Sequence, residues 1–350
     1  MKIASVASAL PEHRYSQAAL SAYLRDEVWG EHRELARRVE GLHENVRVET
    51  RHLAYPLERY ASFKTFGDFN DAYISAATEL GGKAASEALA RAGLTPRDVD
   101  FVLFSTVTGI ASPSIDAKLV NRLGLRPDVR RLPLFGLGCV AGAAAVSRAA
   151  DLVRGKRDGV ALVLAVELCS LTLQRGDCSV ANVIASGLFG DGACAAVVVG
   201  EARQADGPRI LDTRSVFYPD TEDVMGWSIS ERGFRIVLSA AVPTVAREQL
   251  GPDVDGFLAD HGLTRADIRS WVCHPGGPKV LSAARDSLGI SDEDLALSWD
   301  SLRRIGNLSS ASVLAILEQT WNRRRPAPGS KGIMLAMGPG FCSEYLLLGW

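Results

Sequence analysis

Continuous apolar runs alternate with Ala- and Leu-rich stretches along this chain. Val99–Ser105 (VDFVLFS), Val160–Val166 (VALVLAV) and Ala193–Gly200 (ACAAVVVG) are apolar at almost every position. They lack the two-residue alternation of a half-exposed strand, and so predict strands buried on both faces. Ile268–Cys273 (IRSWVC) and Gly332–Met337 (GIMLAM) complete the strong strand candidates. Ile74–Ala92, Gly142–Val153 and Pro278–Leu288 read as helices, the first stopped by Gly93. Strands alternating with helices predict an α/β fold of helix-covered sheets. Ser16 to Tyr73 is charged and helical in character, which predicts a layer added to the sheet core.

A polar Gly/Pro connection, Ala202–Pro208 (ARQADGP), divides the pattern into two halves, residues 1–205 and 206–350. A length of 350 residues suits one large domain or two fused ones. Hydrophobic residues make up 47% and charged residues 23%, with a formal net charge of -2 spread along the chain. No basic stretch argues for nucleic acid, and no apolar run reaches membrane-span length unbroken. The opening MKIASVASALPEHRYS reads as a first strand rather than a signal peptide. Six scattered cysteines form no CxxC pair and no Cys/His cluster at metal spacing, so a reducing cytoplasm is the simplest compartment.

Chemistry enters at Leu132–Arg154, LPLFGLGCVAGAAAVSRAADLVR. A short strand runs through Gly136 and Gly138 into Cys139, and a helix of small residues follows. A thiol at such an elbow sits beside unpaired N–H groups and the positive end of a helix dipole, which favour thiolate. A structural cysteine in a small-residue helix is the plainer alternative. His274 directly follows an apolar strand, in HPGGPK, where α/β folds present functional groups. The other five histidines, His13, His32, His43, His52 and His261, lie in polar surroundings that predict surface positions. Asn307, in RIGNLSSASVL, either caps a helix or donates a hydrogen bond to a thioester oxygen. The segment alone does not choose between them.

Six motifs in order carry a resemblance. They are GCVAGAAAVSRAADLVRG, ELCSLTL, SGLFGDGA, HPGGPKVL, SWDSLRRIGNLSSASVL and MGPGFCSEYLLL. Together they resemble the thiolase-fold condensing enzymes, most closely the type III polyketide synthases of the chalcone synthase superfamily. The resemblance implies a layered αβαβα fold built from two similar halves. It implies a triad of Cys139, His274 and Asn307. Cys139 would hold the acyl chain as a thioester, while His274 and Asn307 would stabilise the enolate left when malonyl-CoA loses carbon dioxide. Malonyl-CoA and acyl-CoA are the implied partners, in a homodimer, with no cofactor or metal. An initiating ketosynthase shares part of the pattern, but its His segment is HQAN-like, whereas this chain has HPGG.

The same resemblance places Phe189 at the mouth of a CoA tunnel, and Val107, Cys169, Thr172, Trp227, Ile236 and Ser309 along a cavity. Ser112 resembles a residue that crosses the dimer interface. Arg47, Arg51 and Lys279 are candidates to meet CoA phosphates. Ile236 stands for a gate aromatic of plant enzymes and opens the site, while Trp227 stands for a glycine and narrows it. That pattern is similar to bacterial enzymes making alkylpyrones or alkylresorcinols from long-chain acyl-CoA. A malonyl-only synthase of tetrahydroxynaphthalene type is the main rival.

Overall fold

The computed structural model describes all residues, Met1–Trp350. Thirteen strands form in chain order. In the first half these are β1 (Lys2–Ala9), β2 (His13–Ser16), β3 (Thr50–Leu53), β4 (Phe101–Thr106), β5 (Arg130–Phe135), β6 (Val160–Leu168) and β7 (Asp191–Val199). In the second they are β8 (Arg209–Phe217), β9 (Met225–Ser230), β10 (Gly233–Leu238), β11 (Ile268–Cys273), β12 (Lys331–Gly338) and β13 (Cys342–Gly349). Nine of them form one sheet in the order β11-β12-β13-β8-β1-β7-β6-β4-β5.

The sheet repeats a topology. β4 and β6 are parallel, β6 and β7 antiparallel, and β7 and β1 antiparallel. β11 and β12 are parallel, β12 and β13 antiparallel, and β13 and β8 antiparallel. β5 has no counterpart in the second half and leaves an open edge. The halves join at a single register pair, Lys2 opposite Arg209.

Three helical layers explain why the strand runs are apolar on both faces. Helices Ala141–Arg154 and Ser312–Arg323 lie in the middle, packed with Leu103, Val163, Met334 and Leu346 in one core. Helix Phe66–Arg91 covers the outer face of the first half, with Val102, Leu164 and Val197. Helices Val242–Ala259 and Pro278–Leu288 cover the second, with Trp271, Ile333 and Tyr345. This is the αβαβα layering expected. Helix Ala141–Arg154 is rich in Ala because it is packed closely between sheet and the second central helix.

The sequence misplaces two local features. The helix expected from Ile74 begins at Phe66, where Thr65 and Asp68 form a capping box. The region from Ser16 to Tyr73 is not simply an appended helical layer. β2 and β3 pair there, and its helix Gln17–Tyr23 faces a cavity described below.

Candidate active site

β5 delivers the chain to a tight turn, Gly138–Val140, that leads into helix Ala141–Arg154. Gly138 has φ +53°, and a Cβ there would lie 2.6 Å from Pro339. Glycine therefore lets the turn press against the Gly338–Pro339 loop of the second half. Cys139 is only 6% exposed. Its Sγ lies 3.6 Å from Ser309 Oγ. Burial pushes the thiol up to about 12, against the lowering expected from the helix start. Hydrogen bonding from Ser309 and the Asn307 amide pulls it back, and the Glu167 carboxylate pushes it further up. Desolvation is the largest of these effects at the thiol.

His274 follows β11, and its backbone N–H extends the ladder to Leu335 O at 3.0 Å. The ring is buried, and neither Nδ1 nor Nε2 has a hydrogen-bond partner. Burial alone lowers its pKa to about 3. A buried imidazole with both nitrogens unused is costly unless a substrate meets it.

Asn307 occupies the turn before the second central helix, the place that Cys139 holds before the first. Gly306 takes φ +73°, where a Cβ would lie 2.8 Å from Leu188 O. The backbone of Asn307 bonds both neighbours of Phe189: its N–H donates to Leu188 O, and its carbonyl accepts from Gly190 N–H, both at 2.9 Å. Its Oδ1 accepts from Ser309 N–H at 2.8 Å and from Ser312 Oγ at 3.4 Å. Those acceptor contacts orient the amide, so Nδ2 is left as a donor on the other side. The sequence alternative dissolves: the carbonyl end caps the turn and the amine end stays available. Ser309 sits at φ +48°, an uncommon conformation for a residue with a side chain, beside the thiol it touches.

Glu167 is the functional residue that sequence reasoning passed over. It ends the apolar run of β6 and is fully buried. Oε2 accepts from Thr108 Oγ1 at 2.9 Å and Val107 N–H at 3.1 Å, while Oε1 accepts from Ser310 Oγ at 2.6 Å. Burial raises it to about 7. The signal was present: a lone carboxylate closing VALVLAVEL.

A mainly apolar cavity of about 70 Å³ lies beyond Phe189. Cys169, Thr172, Phe189, Trp227 and Ile236 all line it. Trp227 and Ile236 stand opposite each other on β9 and β10. Leu20 and Tyr60, from the N-terminal region, line it too, and sequence reasoning did not foresee them. Cys139, His274, Asn307, Val107 and Ser309 are not in its wall; Phe189 is the link, through its neighbours' bonds to Asn307. Val107 instead donates its N–H to Glu167, and Ser112 is exposed on the loop after β4.

Two expectations need correction. Arg51 is not a surface residue poised for a CoA phosphate: it is 4% exposed, and Nη1 donates to Phe189 O at 2.8 Å. Arg47 and Lys279 are exposed, Arg47 lying 5.5 Å over the Trp299 ring. His43 is 1% exposed and not a surface histidine. Its Nδ1 meets Ser21 Oγ at 2.8 Å and its Nε2 lies 3.1 Å from Val183 O. Both residues come from a charged stretch whose fold-back under helix Val180–Leu188 local patterning does not reveal. No helix is long and apolar enough to cross a membrane.

Known proteins resemble this chain along its whole length. Residues 1–202 match the N-terminal domain of the chalcone and stilbene synthases, and residues 210–349 match the C-terminal domain. A 1,3,6,8-tetrahydroxynaphthalene synthase of Streptomyces peucetius subsp. caesius is 50% identical over 99% of this chain and 93% of its own length. An alpha-pyrone synthesis polyketide synthase-like protein of Mycobacterium tuberculosis is 33% identical over 89% of this chain and 81% of its own. The crystal structure of 1,3,6,8-tetrahydroxynaphthalene synthase from Streptomyces coelicolor A3(2) superposes with a TM-score of 0.94 at 30% identity, covering 100% of this chain and 99% of that one. With two like halves that both match the family along their length, this chain belongs to the chalcone and stilbene synthase family and is a type III polyketide synthase that condenses malonyl-CoA.

Proposed function

We propose that the enzyme primes itself with malonyl-CoA and extends with malonyl-CoA, giving a product of the 1,3,6,8-tetrahydroxynaphthalene type. The observation that carries this is the 50% identity, across 99% of the chain, to a protein bearing that activity in its name. It moves the starter away from the long-chain acyl-CoA that the cavity residues suggested by resemblance.

Cys139 attacks the thioester of the incoming acyl-CoA, and CoA leaves as the thiol. Neither Cys139 nor His274 ionises alone at neutral pH, because each is buried. A proton passing from sulfur to imidazole leaves opposite charges that stabilise each other in a medium of low dielectric. A second malonyl-CoA then loses carbon dioxide. Its enolate oxygen receives N–H donors from His274 and from Asn307 Nδ2, and its carbon attacks the Cys139 thioester carbonyl, expelling the Cys139 thiolate and leaving the extended chain on CoA, from which Cys139 takes it back with release of CoA before the next round. Fixed donors in a dry site are worth several kcal/mol at such an oxyanion. Arg47 and Lys279 are the exposed bases offered to CoA phosphates. The chain works as a homodimer in this reading, supported by the open β5 edge with Phe135 50% exposed and Ile110 43% exposed. Ser112 lies on the same side and would enter the partner's cavity.

A fatty acyl starter is the second reading, favoured by the mainly apolar wall of the cavity around Leu20 and Ile236. Mass spectrometry separates the two. Purified protein given malonyl-CoA alone should form an aromatic product built only from malonyl units. No such product, together with pyrones or resorcinols from added fatty acyl-CoA, would replace the first reading with the second.

A further inference from the structure

Arg51 is the only buried arginine or lysine. Asp100 meets Arg126 and Lys156, and Glu344 meets Arg148, so each of those carboxylates has cationic partners. Arg51 is 4% exposed, yet its two hydrogen-bond acceptors are the neutral amide of Gln17 at 3.1 Å and the peptide oxygen of Phe189 at 2.8 Å. No carboxylate pairs with it. Asp191 acts on it only through its field, because the carboxyl oxygens of Asp191 are taken by Ser170 N–H at 2.8 Å, Ala54 N–H at 2.7 Å and the Ser170 hydroxyl. Arg51 Nε and Nη1 are used; Nη2 donates to nothing within the fold. The same side chain lines the cavity beyond Phe189.

A buried guanidinium with no carboxylate hydrogen-bonded to it is expensive, and desolvation, only partly offset by the field of Asp191, lowers its pKa to about 10. A ligand carboxylate would offset that cost through charge-assisted hydrogen bonds, which are the strong ones, and the guanidinium fork suits a carboxylate. The surrounding apolar wall, with Leu53, Leu57 and Cys169, suits the methylenes of an acyl chain.

We propose that Arg51 is a specificity-determining residue that receives the carboxylate at the far end of a carboxylated acyl group in this cavity. The substrate class is therefore acyl thioesters with a terminal carboxylate, malonyl among them. This rests on the condensing reading above, and it adds a reason for a malonyl primer: the primer's free carboxylate has a built partner. As the chain grows, the primer end moves away from Cys139, and Arg51 would hold that end apart from the nascent thioester.

The test compares succinyl-CoA with butyryl-CoA, which share a four-carbon acyl length and differ in the terminal carboxylate. Binding is measured calorimetrically on full-length Cys139→Ala protein, which cannot be acylated at that position. Succinyl-CoA should bind about tenfold or more tightly than butyryl-CoA, as one hydrogen bond to a charged partner requires. Adding Arg51→Gln should remove that preference, and adding Arg51→Lys should keep part of it. Equal affinity for the two thioesters in Cys139→Ala overturns the proposal even if the Arg51 variants do not fold. So does a preference that survives in folded Cys139→Ala/Arg51→Gln. Failure of the condensing reading shows up elsewhere, as wild-type protein that forms no product from any starter, and leaves the affinity comparison intact.

Discussion

Helix Ala141–Arg154 carries Cys139 at its head and rests on the turn that carries Ser309 and Ser310. Gly142 is the contact point. A Cβ at Gly142 would lie 2.1 Å from Ser310 O and 3.1 Å from Val313 Cγ1. Real carbon atoms do not approach a backbone oxygen below 3.0 Å, so alanine there forces the two segments apart by about 1 Å. In an exposed helix the same substitution stabilises by about 1 kcal/mol. Here overpacking costs about 1–3 kcal/mol, which cancels or exceeds that gain and leaves a net destabilisation of at most about 2 kcal/mol. For 350 residues the unfolding entropy is about 0.7 kcal/mol/K, so Tm falls by no more than about 3 °C. Activity suffers more. The displaced turn holds the hydroxyl 3.6 Å from Cys139 Sγ and neighbours Asn307, and a misplacement of about 1 Å costs about a hundredfold in rate. Calorimetric melting and CoA release from malonyl-CoA measure the two effects separately. Gly155→Ala is the control, since its Cβ would meet only Leu152 O at an ordinary 3.5 Å. A Gly142→Ala enzyme with wild-type rate would refute the close packing of the nucleophile's helix on the Asn307 turn.

Other perturbations test other parts of the site. Cys139→Ala should abolish condensation but leave slow release of carbon dioxide from malonyl-CoA; full-length product from this variant would mean that another group is the nucleophile. Asn307→Asp keeps the acceptor bonded by Ser309 N–H but loses the Nδ2 donor, so decarboxylation should fall by about 10²–10³-fold, read as labelled carbon dioxide. Trp227→Gly should widen the cavity and raise the share of products primed by longer acyl-CoA; an unchanged product profile by mass spectrometry would remove Trp227 from the list of size determinants. His43 is buried with its pKa lowered to about 4 from 6.5. The unfolded chain binds its proton first, so this contribution is intact above about pH 6.5 and is lost as pH falls towards about 4, worth roughly 3 kcal/mol in all. His43→Gln should flatten that limb of a Tm-against-pH curve, and parallel curves would show that His43 does not drive it.

The strands were legible because burial on both faces writes itself as unbroken apolar sequence, as in Val160–Val166. Cys139, His274 and Asn307 were legible because each follows a glycine turn or a strand end with no other use for a polar side chain. Arg51 and His43 were misread for one reason. Their neighbours in sequence are charged and exposed, but their partners Phe189 and Val183 lie more than a hundred residues away. Local patterning reports the face of an element and not what later folds over it. Glu167 was overlooked because three of its four partners come from β4 and the loop that follows, and the fourth from the Asn307 turn. The expected thiolate meets an opposing effect that local sequence does not show: the helix-start geometry is present, but the burial that makes the site dry works against the free charge.

The two central helices begin at matching places, one at a nucleophile and the other at an amide donor. Each half therefore holds an incomplete instruction. A first half folded by itself would bury a thiol with no imidazole beside it, and a second half would hold donors with nothing to serve. During synthesis the chain emits Cys139 long before His274 and Asn307, so the nucleophile precedes both of its partners. A first half alone should therefore fail to pass an acyl group from CoA to a malonyl unit, even where it folds.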